Sequence, residues 1–278
     1  MAGVNRLVPL TFGWEDLPET ISISGGDPSR RYREPVPGVL VQVDGGWLLL
    51  DTGFNVPLVR DSFLRERFHG RNSDIHAELL PGDRDSLEVA FETVGISPDD
   101  VTLVALSHLH NDHSGGLRWF TDRCPVHLQR RELEYGLSAP TAAGDSPENH
   151  GFFRIDYDDP QIDWILANDD VDIAPGVRAV LTAGHTPGHQ SFVIDLEPAA
   201  ADEYGAPGFV LAFDAADLQR NIDEELSPGG MVDSSPEQGV ESIRRLKSIA
   251  AGSGYQLVPG HDPHAWPAFT KQLATPGP

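Results

Sequence analysis

The sequence predicts a single α/β domain with its polar chemistry gathered along one edge. Short apolar runs of strand length alternate with amphipathic stretches of helix length. No low-complexity linker separates them, so residues 1–278 read as one domain, with a less regular excursion or lid rich in Pro, Gly and acids at about 131–172. Residues able to hold a metal ion recur just after the apolar runs.

The elements follow in chain order. GVLVQV, the turn DGG and WLLLDTG read as a hairpin. Its first strand alternates, and its second is a continuous apolar run suited to a strand covered on both faces. DSLEVAFETVG reads as a helix. Asp85 caps it, Glu88 completes a capping box, Leu87, Ala90, Phe91 and Val94 share a face, and Gly95 ends it. VTLVAL is a strand running into SHLHNDHSGG, and VRAVLTAGH, QSFVIDL, GFVLAFD and YQLVPGH each contain a further strand. SSPEQGVESIRRLKSIAAG reads as a helix with Ser235 as cap, Pro236 in the first turn, and Val240, Ile243, Leu246 and Ile249 facing inward.

Composition narrows the function classes. Acidic residues outnumber basic ones 43 to 20, a net charge of −23, which argues against nucleic acid and anionic membrane surfaces as partners. No run approaches a membrane span and the N-terminal residues lack a signal-like apolar region, so the chain reads as cytoplasmic. Cys124, the only cysteine, permits neither an intrachain disulfide nor a thiolate zinc cluster and reads as a buried residue.

The metal-competent residues sit at strand ends. Asp51 closes WLLLD; His108, His110, Asp112 and His113 follow VTLVAL; His185, Asp214 and His261 follow three later runs. Ligands of open α/β sheets bind beyond such ends, so distant residues can converge there. His108 and His110, two apart on extended chain, point to one side and can pinch one ion, which His185 completes. Asp112 and His113, after a change of backbone direction, suit a neighbouring ion with His261, and Asp214 can bridge both. Gly115 and Gly116 let the chain turn tightly beneath them. Two such ions, roughly 3.5–4 Å apart, lower the pKa of bound water toward about 7 and polarise a carbonyl. The expectation is therefore a dinuclear hydrolytic centre. Zinc is the default, and a site without thiolate also accepts Mn, Fe or Co. Asp51 is expected behind a ligating imidazole, fixing its tautomer. His189 reads as a supporting partner or a loop-shaping residue. His69, His76, His127, His150 and His264 read as surface or hydrogen-bonded residues.

LLLDTG, SHLHNDHSGG, TAGHTPGHQS, LAFDAAD and VPGHDP, in this order over nearly the whole chain, resemble the successive motifs of the metallo-β-lactamase superfamily. The resemblance implies a four-layer αβ/βα sandwich with two metal ions at one edge. Within the superfamily the layout is most similar to the N-acyl homoserine lactonases. This implies a hydrolase of carboxylic esters (EC 3.1.1-type), active in quorum quenching, in which a metal-bridging hydroxide attacks the lactone carbonyl. His108, His110 and His185 would hold one metal and Asp112, His113 and His261 the other. Asp214 would bridge, and Asp112 would handle the leaving-group proton. A homodimer is the corresponding family-level expectation. Asp217 stands where those lactonases carry Tyr, and Asn111 where several carry a bulky apolar residue, which implies a more polar pocket. Such a pocket also suits the fused ring opened by 4-pyridoxolactonases. Glyoxalase II-like thioesterases share the ligand types, although little chain follows His261 for their helical region. A non-catalytic metal sensor is the remaining alternative. Phe12, Trp14, Phe54, Phe152 and Phe153 are candidates for pocket wall or for core.

Overall fold

The protein is described from a computed structural model covering residues 3–70, 73–138, 151–230 and 235–274. Seven strands make the first sheet: β1 (Leu7–Pro18), β2 (Arg31–Val43), β3 (Gly46–Leu50), β4 (His76–Leu79), β5 (Val101–Ala105), β6 (Val126–Gln129) and β7 (Trp164–Ala167), in spatial order β4-β1-β2-β3-β5-β6-β7. Five make the second: β8 (Val171–Ala174), β9 (Val177–Leu181), β10 (Gln190–Asp195), β11 (Gly208–Leu211) and β12 (Gln256–Val258), in order β12-β11-β10-β9-β8.

The period of two along each strand explains the layering. Leu48 and Leu50 of β3, with Val39 and Val41 of β2, meet Phe192 and Ile194 of β10 and Phe209 and Leu211 of β11 in the core between the sheets. Their neighbours point the other way. Leu40, Leu49 and Val104 pack under the helix Ser86–Val94 through Leu87, Ala90 and Phe91. Val180, Val193 and Val210 pack under the helix Pro236–Ser253 through Ile243, Leu246 and Ala250. Helix, sheet, sheet and helix make the four-layer sandwich, and the apolar runs of the strands are runs because both faces are covered.

The helix ends follow their sequence signals with one exception. Asp85 accepts from the Leu87 amide at 3.0 Å, and Gly95 ends that helix at φ 69°. No capping box closes; the Glu88 carboxylate lies 4.0 Å from the Arg84 guanidinium instead. Ser235 accepts from the Gln238 amide at 3.1 Å. On that helix the buried stripe runs through Gly239, Ser242, Ile243, Leu246 and Ala250, leaving Val240 and Ile249 only half-buried at its margins.

Part of the 131–172 excursion lies outside the described residues, as does His150. The described part includes the helix Arg130–Ser138 and the edge strand β7, which pairs in parallel with β6. Among the described residues no helix is long and apolar enough to cross a membrane.

Candidate metal centre

The parallel pairs β3–β5 and β11–β12 end at the same edge of the sandwich. Asp51 follows β3, His108 and His110 follow β5, His185 follows β9, Asp214 follows β11 and His261 follows β12. Gln190 helps to dock the sheets at this edge: its backbone amide donates to the Ser107 carbonyl at 2.9 Å, and its side-chain amide to the Leu106 carbonyl at 2.7 Å. The chain then turns through the short helix Asn111–Ser114, bringing Asp112 and His113 under the same opening. Closeness demands the two glycines here. A Cβ on Gly115 would stand 2.1 Å from the Asn55 nitrogen, and one on Gly116 2.2 Å from the Thr52 oxygen.

Two triads result. His108, His110 and His185 bring three ligand atoms within 4.8 Å of one another, as do Asp112, His113 and His261. Asp214 stands between them. Its Oδ2 lies 3.4 Å from His185 Nε2 and 3.8 Å from His108 Nε2, while its Oδ1 lies 3.0 Å from His261 Nε2 and 3.1 Å from His113 Nε2. Asp112 Oδ2 is 3.1 Å from His113 Nε2.

The outward ring nitrogens are held from behind. His113 Nδ1 donates to Asp51 Oδ2 at 2.7 Å, and His261 Nδ1 donates to the Pro35 carbonyl at 2.9 Å. The Ser107 hydroxyl donates to Asp51 at 2.7 Å and accepts from His108 Nδ1 at 2.9 Å. Each bond fixes a tautomer and turns Nε2 toward the centre. Asp51 is fully buried and holds this position at φ 59°, a left-handed conformation uncommon outside glycine.

The donor set fits divalent cations. His108 Nε2 is buried without a hydrogen-bond partner, an arrangement that is costly unless something positive binds it. Burial holds the His108 and His185 imidazoles well below their ordinary pKa, so each keeps a neutral ring able to ligate a cation. Burial would raise Asp214, but His113, His261 and His108 hold it well below the usual carboxylate range. In the other triad burial opposes protonation and the carboxylates overcome it: Asp112 and Asp214 lift His113 well above its ordinary value, and Asp214 lifts His261 to about 10. Protons there occupy the place of a cation, and a metal ion would displace them. The ligands are all nitrogen and oxygen, which suits zinc and also Mn, Fe or Co.

His189 is fully buried with Nδ1 2.9 Å from the Thr182 hydroxyl, and its ring centroid is 5.2 Å from that of His108. It also forms a group with His108 and Asp214 within 4.8 Å.

A cavity opens over the centre. Asn111, Asp112, Asp214, Asp217 and Phe153 line it. The other aromatic candidates do not, a correction to their reading as pocket wall. Phe12 and Phe54 lie in the core of the first sheet, Phe152 backs His110 with ring centroids 4.7 Å apart, and Trp14 packs under Arg33 at 3.9 Å. Sequence reasoning missed several wall residues, the polar Glu15, Glu34 and His69 and the apolar Leu17, Ile21 and Ile75 among them. His69, read as a surface or hydrogen-bonded residue, has its ring centroid 5.0 Å from that of Phe153, and burial pulls its pKa to about 4. Also missed was Glu132, fully buried, which accepts from the Leu109 amide at 3.1 Å, the Thr186 hydroxyl at 2.7 Å and the Gly188 amide at 2.9 Å.

Residues 31–199 match a family profile for the metallo-beta-lactamase superfamily. The chain belongs to the metallo-beta-lactamase superfamily. Among superfamily members it is 33% identical over 247 residues, 86% of each chain, to the N-acyl homoserine lactonase AttM of Azorhizobium caulinodans. It is 29% identical over 237 residues, 84% of each chain, to the N-acyl homoserine lactonase AiiA of Bacillus thuringiensis subsp. kurstaki. A solved N-acyl homoserine lactone hydrolase, with N-hexanoyl-L-homoserine bound at its catalytic metal centre, superposes with a TM-score of 0.77 at 26% identity over 96% of both chains. This superfamily fold is the four-layer sandwich described above.

Proposed function

We propose that this protein is a metal-dependent lactonase that hydrolyses the ring of an N-acyl homoserine lactone, a quorum-quenching reaction. The observation that supports it best is Asp214, whose two oxygens face separate triads under one cavity. The names of the relatives support the substrate class, and N-hexanoyl-L-homoserine bound in one of them is the product such a reaction leaves.

His108, His110 and His185 would hold one divalent ion, Asp112, His113 and His261 a second, with Asp214 between them; zinc is the expected metal. Bound there, the pair supplies a water of lowered pKa and Lewis acidity toward a carbonyl oxygen. The chain's own residues do the rest. Asp51 and Ser107 lock the imidazoles so that the ligands are aimed before metal or substrate arrives. Asn111 and Phe153 wall the space in which the ring is held. Asp112, on the cavity floor beside His113, is placed to pass a proton to the ring oxygen as the acyl–oxygen bond breaks. Water adds across that bond, giving an alcohol and a carboxylic acid whose proton is released. The cytoplasmic setting and a homodimer belong to the same proposal. So does the absence of nucleic-acid and membrane partners, which the net charge of −23 supports.

The test is mass spectrometry of N-hexanoyl-L-homoserine lactone incubated with metal-loaded protein, beside a glutathione thioester. Gain of one water by the lactone, with the thioester intact, is expected. Hydrolysis of the thioester alone would overturn the lactonase reading.

A further inference from the structure

One wall of the cavity is unlike the rest. Glu15 on β1 and Glu34 on β2 are direct cross-strand partners and both line the cavity, and Asp217 joins them from the chain after Asp214. Like charges directly opposite on a sheet destabilise it. Glu34 is 2% exposed and Asp217 5%, so the solvent that would relieve them is largely excluded. Asp217 lines the cavity, and its Oδ1 is buried with no hydrogen-bond partner. Glu34 receives one bond, from the Ser22 hydroxyl at 2.5 Å. No Lys or Arg stands among the described residues lining the cavity. The nearby strand arginines are engaged elsewhere, Arg31 with Asp16 and Arg33 with Glu78. The pleat accounts for this: Arg33 and Glu34 are adjacent on β2 and point to opposite faces.

Acids on a wall whose described residues include no Lys or Arg offer their oxygens to a positively charged group that enters the cavity. Asp112 and Asp214, on the floor, would face the metal ions; Glu15, Glu34 and Asp217 stand apart from the two triads. A third metal ion is the wrong size for them. Among the described residues these three do not bring ligand atoms within 4.8 Å of one another, as each triad of the centre does. A spread of acceptors on one wall suits an organic cation whose several N–H donors reach more than one carboxylate.

Resting on the lactonase reading, we infer that the preferred substrate is a lactone with a positively charged arm, an ammonium or guanidinium group received by Glu15, Glu34 and Asp217. The wall then serves as a selector, and uncharged acyl arms of the same shape are the poorer substrates.

The experiment compares N-(3-aminopropanoyl)- and N-butanoyl-homoserine lactone, which have the same shape and differ in the charge of one terminal group. With freshly made substrate and zinc-loaded protein, kcat/KM for the charged lactone is expected to exceed that for the uncharged one about tenfold or more. In the double variant Glu15→Gln, Glu34→Gln that ratio falls about tenfold, chiefly through KM. Circular dichroism of the double variant should match the parent's; should it fail to fold, Asp217→Asn reads out the same ratio. Equal or lower kcat/KM for the charged lactone in the parent protein, with both opened, overturns the selector and leaves the lactonase reading standing. If neither lactone is opened, the lactonase reading falls and the selector with it.

Discussion

Asp214 gives one carboxylate oxygen to each triad, 3.4 Å from His185 Nε2 on one side and 3.0 Å from His261 Nε2 on the other. A single buried group would thus set the spacing of two ions, and its ionised state is secured by the imidazoles around it. The ligands differ in what they would lose. His110→Ala removes one of three nitrogens from the first triad, so the protein should bind one metal per chain and lose about 10³-fold or more in ring-opening rate. Elemental analysis beside a rate assay checks this, with circular dichroism expected to match the parent; full activity in that variant would contradict the ligand assignment. At this scale the ligands were legible because their chemistry is tied to position: His and Asp directly after apolar strands, two of them two residues apart. Glu15, Glu34 and His69 carry no such mark. A lone acid or histidine in a strand or loop looks the same whether it faces solvent or a cavity, and only the packing of β1 on β2 decides.

Glu132 lies on none of the ligand-bearing segments yet ties two of them together. Its carboxylate accepts from Leu109, between His108 and His110, and from Thr186 and Gly188, just past His185. The helix Arg130–Ser138 thereby fastens the first triad from behind. Gly188 is required at that contact, because a Cβ there would fall 2.3 Å from the Glu132 nitrogen. Glu132→Gln presents a donor where three donors converge. It should weaken one of the two metal sites roughly 10–100-fold, read by competition with a coloured chelator. Two unaltered affinities would show that the clamp does not position the ligands. The element scale also shows where reading the chain fell short. The hairpin of β2 and β3 and the helices Ser86–Val94 and Pro236–Ser253 were visible in their periodicity, whereas the helices Arg130–Ser138 and Ala265–Leu273 were not read. β1 was not: LVPLTFGWEDLP holds Pro9 and Gly13, and its pairing with β2 shifts register between Thr11 and Gly13, so no period of two survives. Its strand character comes from the neighbours it pairs with, β2 and β4.

Across the whole molecule, stability should depend on pH through a group remote from the metal. Asp156 is buried with Asn55 donating to its Oδ1 at 2.6 Å, while its Oδ2 has no hydrogen-bond partner. Burial pushes its pKa up to about 7. In the unfolded chain the same carboxyl ionises near pH 4, so between about 4 and 7 the unfolded state holds fewer protons than the native state and stability falls as pH rises. Above about 7 the loss is complete. Asp156→Asn removes the ionisation and keeps an acceptor for Asn55. The gain in melting temperature should be about 2–6 °C larger at pH 8 than at pH 5, and a pH-independent difference would refute the assignment.

The fold was legible as a class because strands covered on both faces and helices with one apolar face leave few ways to stack. The docking of the sheets was not, since it depends on bonds such as Gln190 to Ser107, between residues far apart in sequence. That docking makes one centre of two triads, and the centre can be tested directly. Protein stripped by chelator is titrated with zinc while opening of N-hexanoyl-L-homoserine lactone is followed by proton release. The account predicts negligible activity without metal and a rate that reaches its plateau only at two equivalents per chain. Full activity in the stripped protein, or a plateau at one equivalent, would contradict a dinuclear lactonase.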